Sequence, residues 1–352
     1  MNQPGVGDMK DYNGGSIRAF RFGLNGQIKF ARPWHYSIWV ATNSFDADFD
    51  EDETDKISAY DYRLDIPLAD RMTLSVGKQK EPISLPRLMT LTWNPMQERT
   101  AAENALLPSR NIGIAMSGYS QDQNITWAAG VFNDWIEEDV SFGDNSKQYI
   151  GRVTWVPAES GDGNSIFHLG AAIRYDDAKQ GLRYKAVPEV RDAPFFVDTG
   201  QFEANSSNLI NLEASWRNGP VWLMFEMTRN HVDTPEYDKL TFDGYHVVGT
   251  WALTGEMRPY QRITGVFGAL PIARDIDHGG YGALELALRW SRIDLNNKQM
   301  KGGEMDVAKA ALTWWASSRF NISLNYQYIW NEYYDSNGRA SSVVARVAIL
   351  TR

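Results

Sequence analysis

The chain has 352 residues, 43% hydrophobic and 22% charged, with a formal net charge of −9 at pH 7. That mixture excludes wholesale disorder, and the acidic balance argues against nucleic acid as a partner. No run of about 18 apolar residues occurs, which excludes a helical membrane span but not a membrane barrel, whose strands are apolar only on alternate residues.

Taken in chain order, period-two alternation marks strands near 17–30, 34–47, 56–67, 71–80, 109–118, 123–133, 148–156 and 165–175. The second half adds 206–217, 220–233, 242–254, 280–294, 303–315, 319–332 and 340–351, fifteen in all, with no amphipathic helix between them. Tight turns such as RPW (32–34), LAD (68–70), RNG (217–219) and ASS (316–318) take turns with long connections. The long ones include DADFDEDETD, the segment from Lys80 to Pro108, GLRYKAVPEVRDAPFFVDTGQFEAN and TGEMRPYQRITGVFGALPIARDIDHGG. Short turns at one rim and long loops at the other describe an outer-membrane barrel, and strands of about ten residues are long enough to cross a bilayer at a tilt.

Parity then assigns the faces. In NISLNYQYIW (321–330), Ile322, Leu324, Tyr326 and Tyr328 share one side, and Ser323, Asn325 and Gln327 the other. A soluble sandwich would turn the apolar side inward, whereas a barrel turns it to lipid and leaves the polar side wet. Similar apolar rows are Phe20, Phe22, Leu24 and Ile28; Tyr60, Tyr62, Leu64 and Ile66; Leu169, Ala171, Ile173 and Tyr175; Leu284, Leu286, Leu288 and Trp290; and Val343, Ala345, Val347 and Ile349. Trp155, Trp216, Trp251, Trp290, Trp314 and Tyr328 close rows as interfacial aromatics do.

The opposite parity carries Arg21, Lys29, Arg63, Arg71, Arg152, Arg174, Arg217, Arg289, Lys309 and Arg346 against Asp61, Asp65, Glu213, Glu226 and Glu285. The excess acid sits in loops, at Asp46, Asp48, Asp50, Glu51, Asp52, Glu53 and Asp55 and at Glu137, Glu138 and Asp139. An acidic protein thereby encloses a basic interior. Lumenal charges that merely pair across strands are the structural alternative to a solute path.

Enzyme signatures are absent: no HExxH, GxSxG, P-loop or dinucleotide fingerprint occurs. Without cysteine there are no thiol nucleophiles or Cys-based zinc sites. His35, His168, His231, His246 and His278 lack ligand spacing, so no catalytic residue, cofactor or metal is expected. DADFDEDETDKI resembles a calcium loop over its first residues, then places Glu51 where Gly is needed and Ile57 where a bidentate Glu is needed. Between Lys80 and Pro108, the apolar Leu85, Leu88, Met89, Leu91 and Trp93 predict a segment folded into the lumen. Arg87, Glu98 and Arg99 are its constriction residues, and a loop capping the outside is the alternative.

LTGEMRPY (253–260), followed by GALELALRWSRIDL, resembles the hallmark segment of the phosphate-selective porin O and P family. RYKAVPEVRDAPFFVDTG, VGKQKEPISL with QERTAAENALLPSRNIGIAMSG, and VTWVPAESGDGNSIFHLGAAIRYDD are also similar to that family. The resemblance implies an all-β, transmembrane antiparallel barrel of about sixteen strands, a single porin domain over residues 1–352 with a long third loop, 81–108, as its constriction. It also implies a homotrimer with periplasmic termini, set in outer-membrane lipid and lipopolysaccharide, that passes phosphate or polyphosphate along lumenal Arg and Lys. Fifteen readable strands place the family's opening strand before Met1 or leave it out, and the chain closes on VAILTR rather than a terminal aromatic. The opening MNQPGVGDMKDYNGG has no leader character, so a processed start or a chain that is not exported is expected.

The expectation is a passive channel for small anions. Arg21, Lys29, Arg63, Arg152, Arg174, Arg217, Arg289, Lys309 and Arg346 line its wall. Arginine forks replace lost hydration with charge-assisted hydrogen bonds, and several spaced sites release a solute better than one deep one. A weakly selective porin for small hydrophilic solutes and a soluble, glycan-binding β protein are the alternatives.

Overall fold

The computed structural model describes residues 13–42, 57–133, 145–297, 299–333 and 336–350. Fifteen long strands occur close to where the alternation places them: β1 (Phe20–Ile28), β2 (Trp34–Thr42), β3 (Ile57–Ala69), β4 (Met72–Lys80), β5 (Arg110–Tyr119), β6 (Ile125–Asn133), β7 (Gln148–Glu159) and β8 (Ser165–Asp176). They continue with β9 (Ser206–Asn218), β10 (Val221–Thr234), β11 (Asp238–Ala252), β12 (Ala283–Asn297), β13 (Met300–Ser317), β14 (Phe320–Tyr333) and β15 (Ser336–Ile349). Each pairs antiparallel with its sequence neighbours, giving one fifteen-stranded sheet in chain order.

Two of the tight turns use the same chemistry. Ser120-x-Asp122-x-Asn124 and Ser160-x-Asp162-x-Asn164 each let the Asp carboxylate accept from the Asn amide, at 3.3 and 3.0 Å, while the Ser hydroxyl accepts from the next strand's first N–H, at 3.0 and 2.8 Å. Short polar side chains that bond nearby backbone favour such turns.

Exposure follows parity. Leu324 and Tyr326 are 52% and 50% exposed, whereas Asn325 and Gln327 are 3% and 2% exposed. The outer face is apolar and the inner face polar, the inverse of a soluble core. Tyr60 departs from its expected lipid-facing row. A bulge, in which Trp39 pairs with Asp61 and Val40 with Ala59, leaves Tyr60 as the extra residue. It turns inward and is buried, while Ile57 and Ala59 ahead of it take the exposed face, because an inserted residue reverses parity beyond the bulge.

Among the described residues three connections fold inside the sheet, not one. The first, 81–109, carries α1 (Leu85–Leu88), a single 3-10 turn at Leu91–Trp93 and α2 (Ala101–Leu106), whose Thr100 and Glu103 form a capping box. Gly244 on β11 lets α2 approach: a Cβ there would lie 2.3 Å from that of Ala102. The second, 177–205, buries Phe196, Val197 and Phe202, and the third, 253–282, buries Val266, Phe267 and Leu270. Each such side chain contributes about 1.5–3 kcal/mol of burial, which a solvated loop would forgo.

The long connections do not all share a rim. Those after β2, β4, β6 and β8 leave from one edge, but 253–282 follows β11, and strand parity puts it at the edge with the tight turns. It therefore enters from the side that is periplasmic in outer-membrane barrels. The end strands meet across the first inward segment: Arg18, just ahead of β1, grips Glu98 with two nitrogens, and Arg346 on β15 donates to the Gln97 carbonyl at 2.6 Å. The acidic positions Asp46, Asp48, Asp50, Glu51, Asp52, Glu53 and Asp55, and Glu137, Glu138 and Asp139, lie outside the described residues.

Candidate functional site

Where the first inward segment springs from the wall, cations gather around the re-aimed Tyr60. The guanidinium carbons of Arg21 (β1) and Arg110 (β5) lie over its ring, 4.3 and 3.6 Å from the centroid. Arg110 also donates to Asp61 at 3.0 Å, whereas among the described residues no carboxylate pairs with Arg21. Lys80, at the end of β4, donates to the carbonyls of Arg87, Leu88 and Met89 at 2.8, 3.1 and 3.0 Å. Arg87 reaches the carbonyls of Pro108 and Leu107 at 2.9 and 3.0 Å, and Arg99 those of Arg87 and Met89 at 3.3 and 3.1 Å. Burial and the neighbouring Arg87 charge lower Arg99 to about 10, against the opposing pull of Glu103. The Nε atoms of Arg21 and Arg99 are buried without a hydrogen bond.

Other wall cations are matched by carboxylates. Arg152 meets Glu213 at 2.6 Å, with His168 at 3.3 Å on the same oxygen. Arg174 bonds Glu81 at 2.8 Å and Asp176 at 3.1 Å, and Arg63 lies 3.0 Å from Asp65. Arg289 and Lys309 share Glu189 of the second inward segment, Lys309 at 3.1 Å. Burial alone would raise the Glu189 carboxyl, but Arg289, Lys309 and the Ser291 hydroxyl overcome it and hold it at about 2.

A third set donates to backbone. Arg217 bonds the carbonyls of Arg258 and Gly163 at 2.9 and 2.5 Å, and Arg258 bonds those of Trp93 and Gly268 at 2.7 and 2.9 Å as well as the Glu285 carboxylate at 2.7 Å. Glu226 accepts from the Ser84 hydroxyl at 2.9 Å and the Leu85 amide at 3.2 Å, fixing the start of α1. Lys29 and Arg71 stand exposed in tight turns after β1 and β3 rather than on the wall.

The structure thus brings Arg21, Arg87 and Arg99 together, joins Arg289 and Lys309 on Glu189, and keeps Arg152, Arg174, Arg217 and Arg346 in separate contacts. Sequence reading missed Lys80 and Arg110 as cluster members, and Arg18, Glu81, Glu189 and Arg258 as partners. Their spacing along the chain carries no signal of these meetings, although Phe195-Phe196-Val197 and Val266-Phe267 announce that their segments are buried.

The family model described as "Phosphate-selective porin O and P" matches residues 2–352. An uncharacterized protein of Caulobacter vibrioides is 27% identical over 275 residues, 72% of this chain and 52% of that protein, so the chain spans about half its curated relative's length. Among solved structures, the anion-selective porin from Comamonas acidovorans is similar with a TM-score of 0.53 at 13% identity, over 94% of this chain and 84% of that one. The outer membrane channel DcaP of Acinetobacter baumannii gives 0.54 at 11% identity, over 94% and 84%. At such identities the structural likeness speaks for the fold.

Proposed function

The chain belongs to the phosphate-selective porin O and P family, and from that membership we propose that this bacterial outer-membrane channel favours small anions, phosphate and polyphosphate among them. The observation that carries the preference is the cation cluster around Tyr60. Arg21, Lys80, Arg87, Arg99 and Arg110 converge there, and with Asp61 on Arg110 and Glu103 3.8 Å from Arg99 these cations outnumber those two carboxylates. An anion entering the narrowed lumen loses part of its hydration shell, and the positive field of the cluster offsets that loss. Residues 81–108 form the constriction of a single barrel domain, and three copies assemble in lipid and lipopolysaccharide through their apolar outer faces.

A weakly selective channel is the second reading. It rests on Arg152, Arg174 and Arg289, whose charges are matched by Glu213, Glu81 and Glu189. Reversal potential across a planar bilayer under a potassium chloride gradient, repeated with phosphate on one side, separates the two. Chloride preference with phosphate block supports the anion channel; cation preference overturns it.

A further inference from the structure

The second inward segment ends in a contact that looks like a bound ligand. Glu189 sits at its tip with φ 57°, a left-handed backbone that costs a non-glycine residue energy unless its surroundings hold it there. Its carboxylate is fully buried and takes four donors from three elements of the molecule. These are Arg289 and Ser291 on β12, the latter at 2.6 Å, Lys309 on β13 at 3.1 Å, and the Ala101 amide of α2 at 3.4 Å. The Lys309 ammonium also bonds the Glu189 carbonyl at 3.1 Å, and Gln327 of β14 donates to the Pro188 carbonyl at 2.7 Å.

Two cations, a hydroxyl and an N–H converging on one point are the donor set of an oxyanion pocket. We propose that Arg289, Lys309, Ser291 and the Ala101 amide form a binding site for a small oxyanion such as inorganic phosphate, and that Glu189 occupies it as a tethered competitor. The proposal rests on the anion-channel reading above but concerns a different set of donors, on β12, β13 and α2 rather than around Tyr60. A tether keeps the effective concentration of the carboxylate high, so a free anion must outcompete it or wait for the tip to lift. The site is then weak by design of the chain, which suits a channel that has to release what it binds. Displacement would move the 187–191 tip away from β12 to β14. Arg191, which donates to the Arg18 carbonyl at 3.1 Å, would carry the motion to the chain leading into β1.

The test is phosphate block of chloride current through single channels of the full chain. Glu189→Gln keeps the shape and removes the competing charge, so half-block should occur at a phosphate concentration lower by about tenfold, the size of an ordinary coupling between competing ligands. Adding Ser291→Ala in that background should weaken block again. An unchanged half-blocking concentration in Glu189→Gln overturns the proposal. Should that variant fail to assemble, Gln327→Ala decides: it frees the Pro188 carbonyl without touching a charge, and must strengthen block in the same direction, with no change counting against. The reversal potential of the unaltered protein is read in the same experiment, so a cation-selective pore refutes the anion reading independently of what Glu189 does.

Discussion

Arg21→Gln is the sharpest test of the cluster. Its guanidinium lies over Tyr60, its nearest like charges are Arg110, Arg18 and Arg99, and no described carboxylate depends on it. Removing it therefore strands no buried partner. Stability should fall by no more than the cation–π contact, about 0.5–2 kcal/mol, with relief of repulsion from Arg110 and Arg99 as an offset. The effect on a passing anion is larger. At roughly 7 Å, a unit charge is worth about 0.6 kcal/mol in water and about 2.4 kcal/mol at an effective dielectric of 20. Anion occupancy at the constriction should thus drop between about threefold and about sixtyfold. Reversal potential under a potassium chloride gradient reads this directly. The control is Arg152→Gln with Glu213→Gln, which removes a matched pair at 2.6 Å and should leave the potential where it was. The reasoning fails if Arg21→Gln keeps the native potential, or if the paired control shifts it equally.

Arg152→Met alone should destabilise the barrel by about 3–5 kcal/mol in urea unfolding, because Glu213 is left buried and charged, and adding Glu213→Gln should recover most of the loss. Arg258→Ala removes the ties from the third inward segment to Trp93 and Glu285, so single-channel conductance should rise as that segment loosens. Glu189 is held at about 2 against an ordinary value of 4.5. A depressed carboxyl stabilises the fold above its unfolded value and loses that contribution as pH falls through its folded value. The stability gap between the native chain and Glu189→Gln should accordingly be constant down to about pH 4.5 and close between there and about pH 2. A gap that closes above pH 5 would refute the assignment.

The strands were legible because period two is imposed by the pleat and by lipid on one side, so β9 with Leu212 and Trp216 outward reads correctly without any partner in view. Tyr60 was not, since one inserted residue reverses parity locally and a bulge leaves no mark in composition. Sidedness failed for 253–282 because loop length was read as rim identity, while the count of strands before it gives the true edge. Arg152, Arg174, Arg289 and Lys309 lie on the inner parity, yet their neutralising partners Glu213, Glu81 and Glu189 come from other strands or from loops far along the chain. Such pairings are set by how inward segments pack, which no local pattern encodes.

The partner each cation has found decides what it can do for a solute. A carboxylate cancels the charge of an arginine at any distance beyond a few ångströms, so Arg152 and Arg174 hold the wall together and add little field. A carbonyl is a dipole with no net charge. Lys80, Arg87 and Arg346 pin the 81–109 segment to itself and to β15 through such carbonyls. On the reading proposed above, backbone-directed cations fix the constriction and attract anions with the same side chains, so that selectivity follows the charge at the narrow place and not the net −9 of the sequence. It also predicts that Arg346→Glu, which places a carboxylate against the Gln97 carbonyl, should both release the segment from β15 and reverse the local field, shifting the reversal potential further toward cations than Arg346→Gln does.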